Sequence, residues 1–174
     1  MTAADVFLGC QVYIGIVFLA SVIGKTRTRA RYADFVEAVH DLAPGLPPRA
    51  TARAVVVAEA VTVALIGPRA TSRAAFILAF CLLVAFTMAI SRAIRRSRRV
   101  RCQCFGASSA PVGPLHIVRN LMLLGGAATG GLTTMSLPTP PGAAGAATAT
   151  LCAAVVSGIT LRTDDIAELF RPTT

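Results

Sequence analysis

The sequence predicts an all-α, polytopic membrane helical bundle of four core spans with a weaker fifth. Three observations predict it. The 174 residues are 55% hydrophobic and only 14% charged, with a mean hydropathy of +0.68, whereas a soluble domain carries about 25% charged residues. Apolar runs close to the ~20 residues that a bilayer requires recur along the chain. Lys and Arg gather at alternate junctions between those runs, the pattern of cytoplasmic loops.

The first span covers residues 5–24 and is apolar throughout. It has no basic leader and no convincing small-residue cleavage site, so it is expected to be retained. Phe7-Leu8-Gly9-Cys10 resembles a lipoprotein cleavage site but lacks the positive start such a signal needs. Residues 31–43 follow in the first loop. Tyr32, Phe35, Val36, Val39 and Leu42 recur at helical spacing with Asp34, Glu37, His40 and Asp41 between them. That pattern predicts a short helix lying in the interface, ended by Pro44-Gly45-Leu46-Pro47-Pro48.

Residues 50–67 form the second span and 72–94 the third. Residues 115–135 form the fourth, with the small-xxx-small element Gly126-Ala-Ala-Thr-Gly130 that permits close helix approach. Residues 143–161 are mostly Ala, Thr, Gly and Val, so this weaker fifth span is expected to hold only when packed on the others. Pro138, Pro140 and Pro141 mark the turn before it. The domain division is a four-span membrane domain over 1–135, then a linker, fifth span and short tail over 136–174.

The net charge of +9 arises from 17 Lys+Arg against 8 Asp+Glu. Beside apolar spans such an excess reads as topology and contact with anionic lipid. The arginine run has no interleaved aromatics, which argues against nucleic acid. The first loop holds Lys25, Arg27, Arg29, Arg31, Arg49 and Arg53, and the third Arg92, Arg95, Arg96, Arg98, Arg99 and Arg101. The second has only Arg69 and Arg73. The expected orientation in the cell membrane is therefore N-terminus out and C-terminus cytoplasmic, with the third loop inside.

An ionisable residue within a span costs at least ~2.5 kcal/mol and marks a functional site by default. Glu59 in the second span and Arg119 in the fourth, with Asn120 beside it, are such residues. At 1.5 Å per residue they lie roughly 13 Å and 8 Å above the starts of their spans, so a buried Glu59–Arg119 pair is expected. His116, one turn into the fourth span, could lower a nearby thiol pKa if protonated.

Five cysteines, an odd number, exclude a fully paired intramolecular framework. Cys10, Cys81 and Cys152 lie in apolar spans and read as small apolar residues. The chemistry concentrates in Arg101-Cys102-Gln103-Cys104-Phe105-Gly106, between the basic end of the third span and the start of the fourth. A disulfide between residues two apart closes a small, strained ring, which makes it labile and oxidising. Arg99 and Arg101 would stabilise a thiolate. Copper(I) binding is the chemical rival; two unreactive loop cysteines are the bland reading.

Cys102-Gln103-Cys104-Phe105-Gly106 followed by Arg119-Asn120 resembles the signature of the MauE-type methylamine-utilisation membrane proteins, within the broader DoxX-like group. Lys25 directly after the first span, and Glu59 in the second, also match that pattern. The resemblance covers residues 5–135. It implies a multi-pass bundle that supports maturation of a partner enzyme, in the methylamine system the disulfide-rich small subunit of methylamine dehydrogenase, alongside a thioredoxin-like membrane-anchored protein. The family's middle residue is usually Gly where this chain has Gln103, and its role is extracytoplasmic, whereas the Lys/Arg count places the pair inside.

The expected function is thiol–disulfide exchange, as part of an oxidoreductase system, with Cys102 and Cys104 as the redox pair. Glu59, Arg119, Asn120, His116 and Lys25 give polar support, and no metal is assigned. A membrane quinone is the expected electron acceptor. The expected partners are the lipid bilayer and a thioredoxin-like protein or disulfide-containing client, with no nucleic acid. The alternatives are a non-catalytic scaffold for a partner enzyme and a copper(I)-handling membrane protein.

Overall fold

The computed structural model describes residues 2–95, 114–135 and 142–162. Within them lie six helices: α1 (Ala3–Thr26), α2 (Arg29–Leu42), α3 (Pro48–Ile66), α4 (Arg69–Arg95), α5 (Pro114–Thr133) and α6 (Ala143–Leu161). The all-α bundle expected from the sequence is the fold observed. The Cys102-Gln103-Cys104 segment, the arginines from Arg96 to Arg101 and the prolines at 138, 140 and 141 lie outside the described residues.

α1 begins with a reciprocal cap. The Thr2 hydroxyl accepts from the Asp5 backbone N–H, while the Asp5 carboxylate accepts from the Thr2 backbone N–H at 2.7 Å. Two of the helix's orphan donors are thereby satisfied. α1 packs against α3, α5 and α6, and α4 packs against α3 and α5, so α3 and α5 sit on opposite flanks of α1. α2 lies across one end, packed on α3, α1 and α4. Its buried residues are Phe35, Ala38 and Val39, one face of the interfacial helix expected from the periodicity.

Small residues set the helix separations. A Cβ on Gly126 would come 3.1 Å from the Tyr13 ring, and one on Gly130 would run into the ring of Phe76 and reach 3.0 Å from Cys10. The small-xxx-small element of α5 therefore seats α5 against both α1 and α4. Gly9 opposes Ala149, and Gly145 opposes Asp5, which sets α6 parallel to α1 in one constant register. The weak fifth segment is held, as its composition requires, by packing on the bundle.

The surface is inverted relative to a soluble protein. Leu19, Ile23, Val57, Ile77, Met88, Leu121, Met122, Leu132, Leu151 and Ile159 are exposed, whereas Ser21, Lys25, Glu59, Thr62, Ser72, His116, Arg119, Asn120 and Ser157 are buried. Apolar side chains facing outward around a polar interior suit hydrocarbon as the solvent. Hydroxyls inside the bundle donate back to their own helices, as Thr62 does to Ala58 and Ser157 to Ala153. Such bonds leave few polar groups to be met by lipid. Among the described residues, α1, α4 and α6 are long and apolar enough to cross a membrane. α3 and α5 have 19 and 20 residues, enough length at 1.5 Å per residue, but each turns buried polar side chains into the bundle.

Candidate functional site

Lys25 stands in the last turn of α1 and is 1% exposed. Its ammonium reaches Glu59 of α3, with Nζ 2.5 Å from Oε1. It also donates to Ser21 Oγ at 2.8 Å, and Ser21 donates in turn to Glu59 Oε1 at 3.1 Å. Two aromatic rings cover the ammonium: Phe35 of α2 at 4.8 Å and Phe86 of α4 at 5.3 Å from the ring centroids. One cation thus joins four helices. Glu59 Oε2 is buried and accepts no hydrogen bond from the described residues.

This arrangement corrects the expected Glu59–Arg119 pair. Glu59 is paired with Lys25. The physical reason is helix order: α1 stands between α3 and α5, and the Lys25 stem runs back along α1 to the carboxylate first. Lys25 is also not a loop charge, because α1 continues through it to Thr26.

α5 turns a second polar set inward. His116, Arg119 and Asn120 are 6%, 5% and 4% exposed, and Leu123 and Ala127 continue the same buried face. Spacings of three and four residues put these five side chains on one stripe. Cys10 lies opposite Gly130 and Tyr13 opposite Gly126; continuing that antiparallel register puts Arg119 at the level of Ser21. The expected depth of Arg119 is therefore met, although Glu59 pairs with Lys25. The polar cluster of α5 opens directly after the segment that carries Cys102 and Cys104. Cys10 is half-buried, whereas Cys81 and Cys152 are exposed among outward-facing apolar residues, and all three are free thiols.

Gln11 was not singled out from the sequence. Its Nε2 donates to the Ile66 carbonyl and, at 2.8 Å, to that of Gly67, closing two orphan acceptors at the C-terminal end of α3. The available signal was a lone amide in an otherwise apolar span. Tyr13 is a second omission: its hydroxyl lies 3.2 Å from Thr160 Oγ1 and ties α1 to α6.

The fold and this interior define the class: a multi-pass helical membrane protein with a buried ionic core. The family model described as "Methylamine utilisation protein MauE" matches residues 3–133. The chain belongs to the MauE family. In comparisons with curated proteins and with solved structures, nothing matches.

Proposed function

We propose that this protein is a cell-membrane component of thiol–disulfide exchange that supports maturation of a disulfide-containing partner enzyme, resembling methylamine dehydrogenase in its methylamine-utilisation setting. Cys102 and Cys104 are the redox pair. The supporting observation is the position of Cys-x-Cys within the family match. It lies between the basic end of α4 and the polar stripe of His116, Arg119 and Asn120 on α5.

The exchange runs in two displacements. A client thiolate attacks one sulfur of the Cys102–Cys104 disulfide, forming a mixed disulfide and releasing the other cysteine as a thiolate. The client's second thiolate then attacks its own sulfur of the mixed disulfide. The client leaves oxidised, and both cysteines are left reduced, having gained two electrons. Arginines flanking the pair stabilise the thiolate that departs. Lys25 and Glu59 join α1 to α3, and Arg119 and Asn120 stand on the buried face of α5, the helix that follows the pair in sequence. A thioredoxin-like protein is the proposed intermediary.

In this reading the third loop is cytoplasmic and the N-terminus lies outside. Excluding Lys25 leaves five Arg in the first junction, still more than the two of the second. The test is trapping. Cys104→Ser in cells should accumulate a mixed disulfide at Cys102 that mass spectrometry identifies. Normal partner maturation with Cys102→Ser/Cys104→Ser would leave only a scaffold role.

A further inference from the structure

A groove of about 480 Å³ opens between α2, the α2–α3 turn, α3 and α4, within the ~300–1,000 Å³ range of small-molecule sites. Its inner wall includes Phe35 and Phe86, the same two rings that cover Lys25. Met88 of α4 is an exposed lining residue, so apolar surface borders the groove there. Two ionisable residues line it, Asp41 and Arg92. Among the described residues they form no ion pair with each other.

We infer that this groove binds the head of a membrane quinone, the acceptor that reoxidises the cysteine pair. The inference rests on the thiol–disulfide reading of Cys102 and Cys104. Oxidising that pair releases two electrons and two protons. A benzoquinone takes up both and becomes the hydroquinone, so the balance closes with no further reagent. The lining suits both states. Arg92 donates to a quinone carbonyl, and Asp41 accepts from a hydroquinone hydroxyl. The aromatic and aliphatic walls take the ring and the first part of its tail. A phospholipid suits the groove less well, because its phosphate would meet Asp41 as well as Arg92. Arg92 is in the last turn of α4, directly before the segment that carries the cysteines.

The chain has no Trp, so Met88→Trp supplies a single fluorescent reporter at the groove, and Phe80→Trp one on another face of α4. The full chain is placed in neutral phosphatidylcholine nanodiscs and titrated with decylubiquinone. Saturable quenching is expected at Met88→Trp, and only linear, partition-driven quenching at Phe80→Trp. Adding Ala89→Leu, which fills the groove, or Arg92→Gln, should raise the half-saturating concentration about tenfold, the effect of one lost contact of ~1.4 kcal/mol. Equal linear quenching at both reporters would overturn the site. So would displacement by phosphatidylglycerol with no saturable response to quinone. A second arm follows thiol oxidation by decylubiquinone in the reduced chain. Saturable binding without thiol oxidation would keep the site and overturn the redox reading. Thiol oxidation that Ala89→Leu leaves unchanged would keep the redox reading and overturn the site.

Discussion

Lys25 and Glu59, 34 residues apart in sequence, meet at 2.5 Å in the interior of the bundle. Breaking one side of such a pair strands a charge, which costs ~3–5 kcal/mol. Lys25→Met and Glu59→Gln should each lower the melting temperature in detergent. Lys25→Met/Glu59→Gln should recover much of the loss, since no lone charge remains. Simple addition of the two losses would show that the side chains do not interact. Arg119→Gln should add its effect to that of Glu59→Gln rather than offset it, because Glu59 is paired with Lys25.

The contact between Gly130 and Phe76 fixes how closely α5 approaches α4. A Cβ at Gly130 runs into a ring that is only 1% exposed. Gly130→Ala should destabilise by ~1–3 kcal/mol, the usual cost of overpacking. Phe76→Leu in the same chain should relieve part of it. The check is thermal unfolding of the two single variants and the double. A neutral Gly130→Ala would mean that the helices separate without cost.

Gln11 is expected to matter for the α1–α3 junction. Gln11→Leu leaves the part-buried Ile66 carbonyl and the exposed Gly67 carbonyl without their side-chain donor, a loss of ~0.5–1.5 kcal/mol, the usual net worth of such a hydrogen bond. Hydrogen exchange should speed up at the C-terminal end of α3 before other segments respond.

The spans were legible because hydropathy reports burial in lipid directly. The first was expected over 5–24 and is Ala3–Thr26; the last was expected over 143–161 and is Ala143–Leu161. The interfacial helix was legible from its one apolar face. The partner of Glu59 was not. Lys25 sits where a span ends and resembles a topology charge; only the fold shows that α1 carries it inward. Depth along a helix can be counted from sequence, and Arg119 falls at the level expected. Which helix stands beside which cannot, and that order decides the pairing. Gln11 escaped notice because its acceptors are backbone carbonyls, which leave no mark in a sequence.

Topology is tested by labelling. With Cys10, Cys81 and Cys152 replaced by Ala, a membrane-impermeant maleimide should reach Cys102 and Cys104 only after cells are opened. Labelling of intact cells would reverse the orientation and place the pair outside.

The most direct test of the proposed chemistry is a redox titration of Cys102 and Cys104 in membranes, followed by thiol alkylation and mass spectrometry. The two thiols are expected to oxidise together as one two-electron couple, at a potential above the roughly −300 mV that bounds structural disulfides. Two thiols that react independently, or that never form a disulfide across the series, would contradict the redox function.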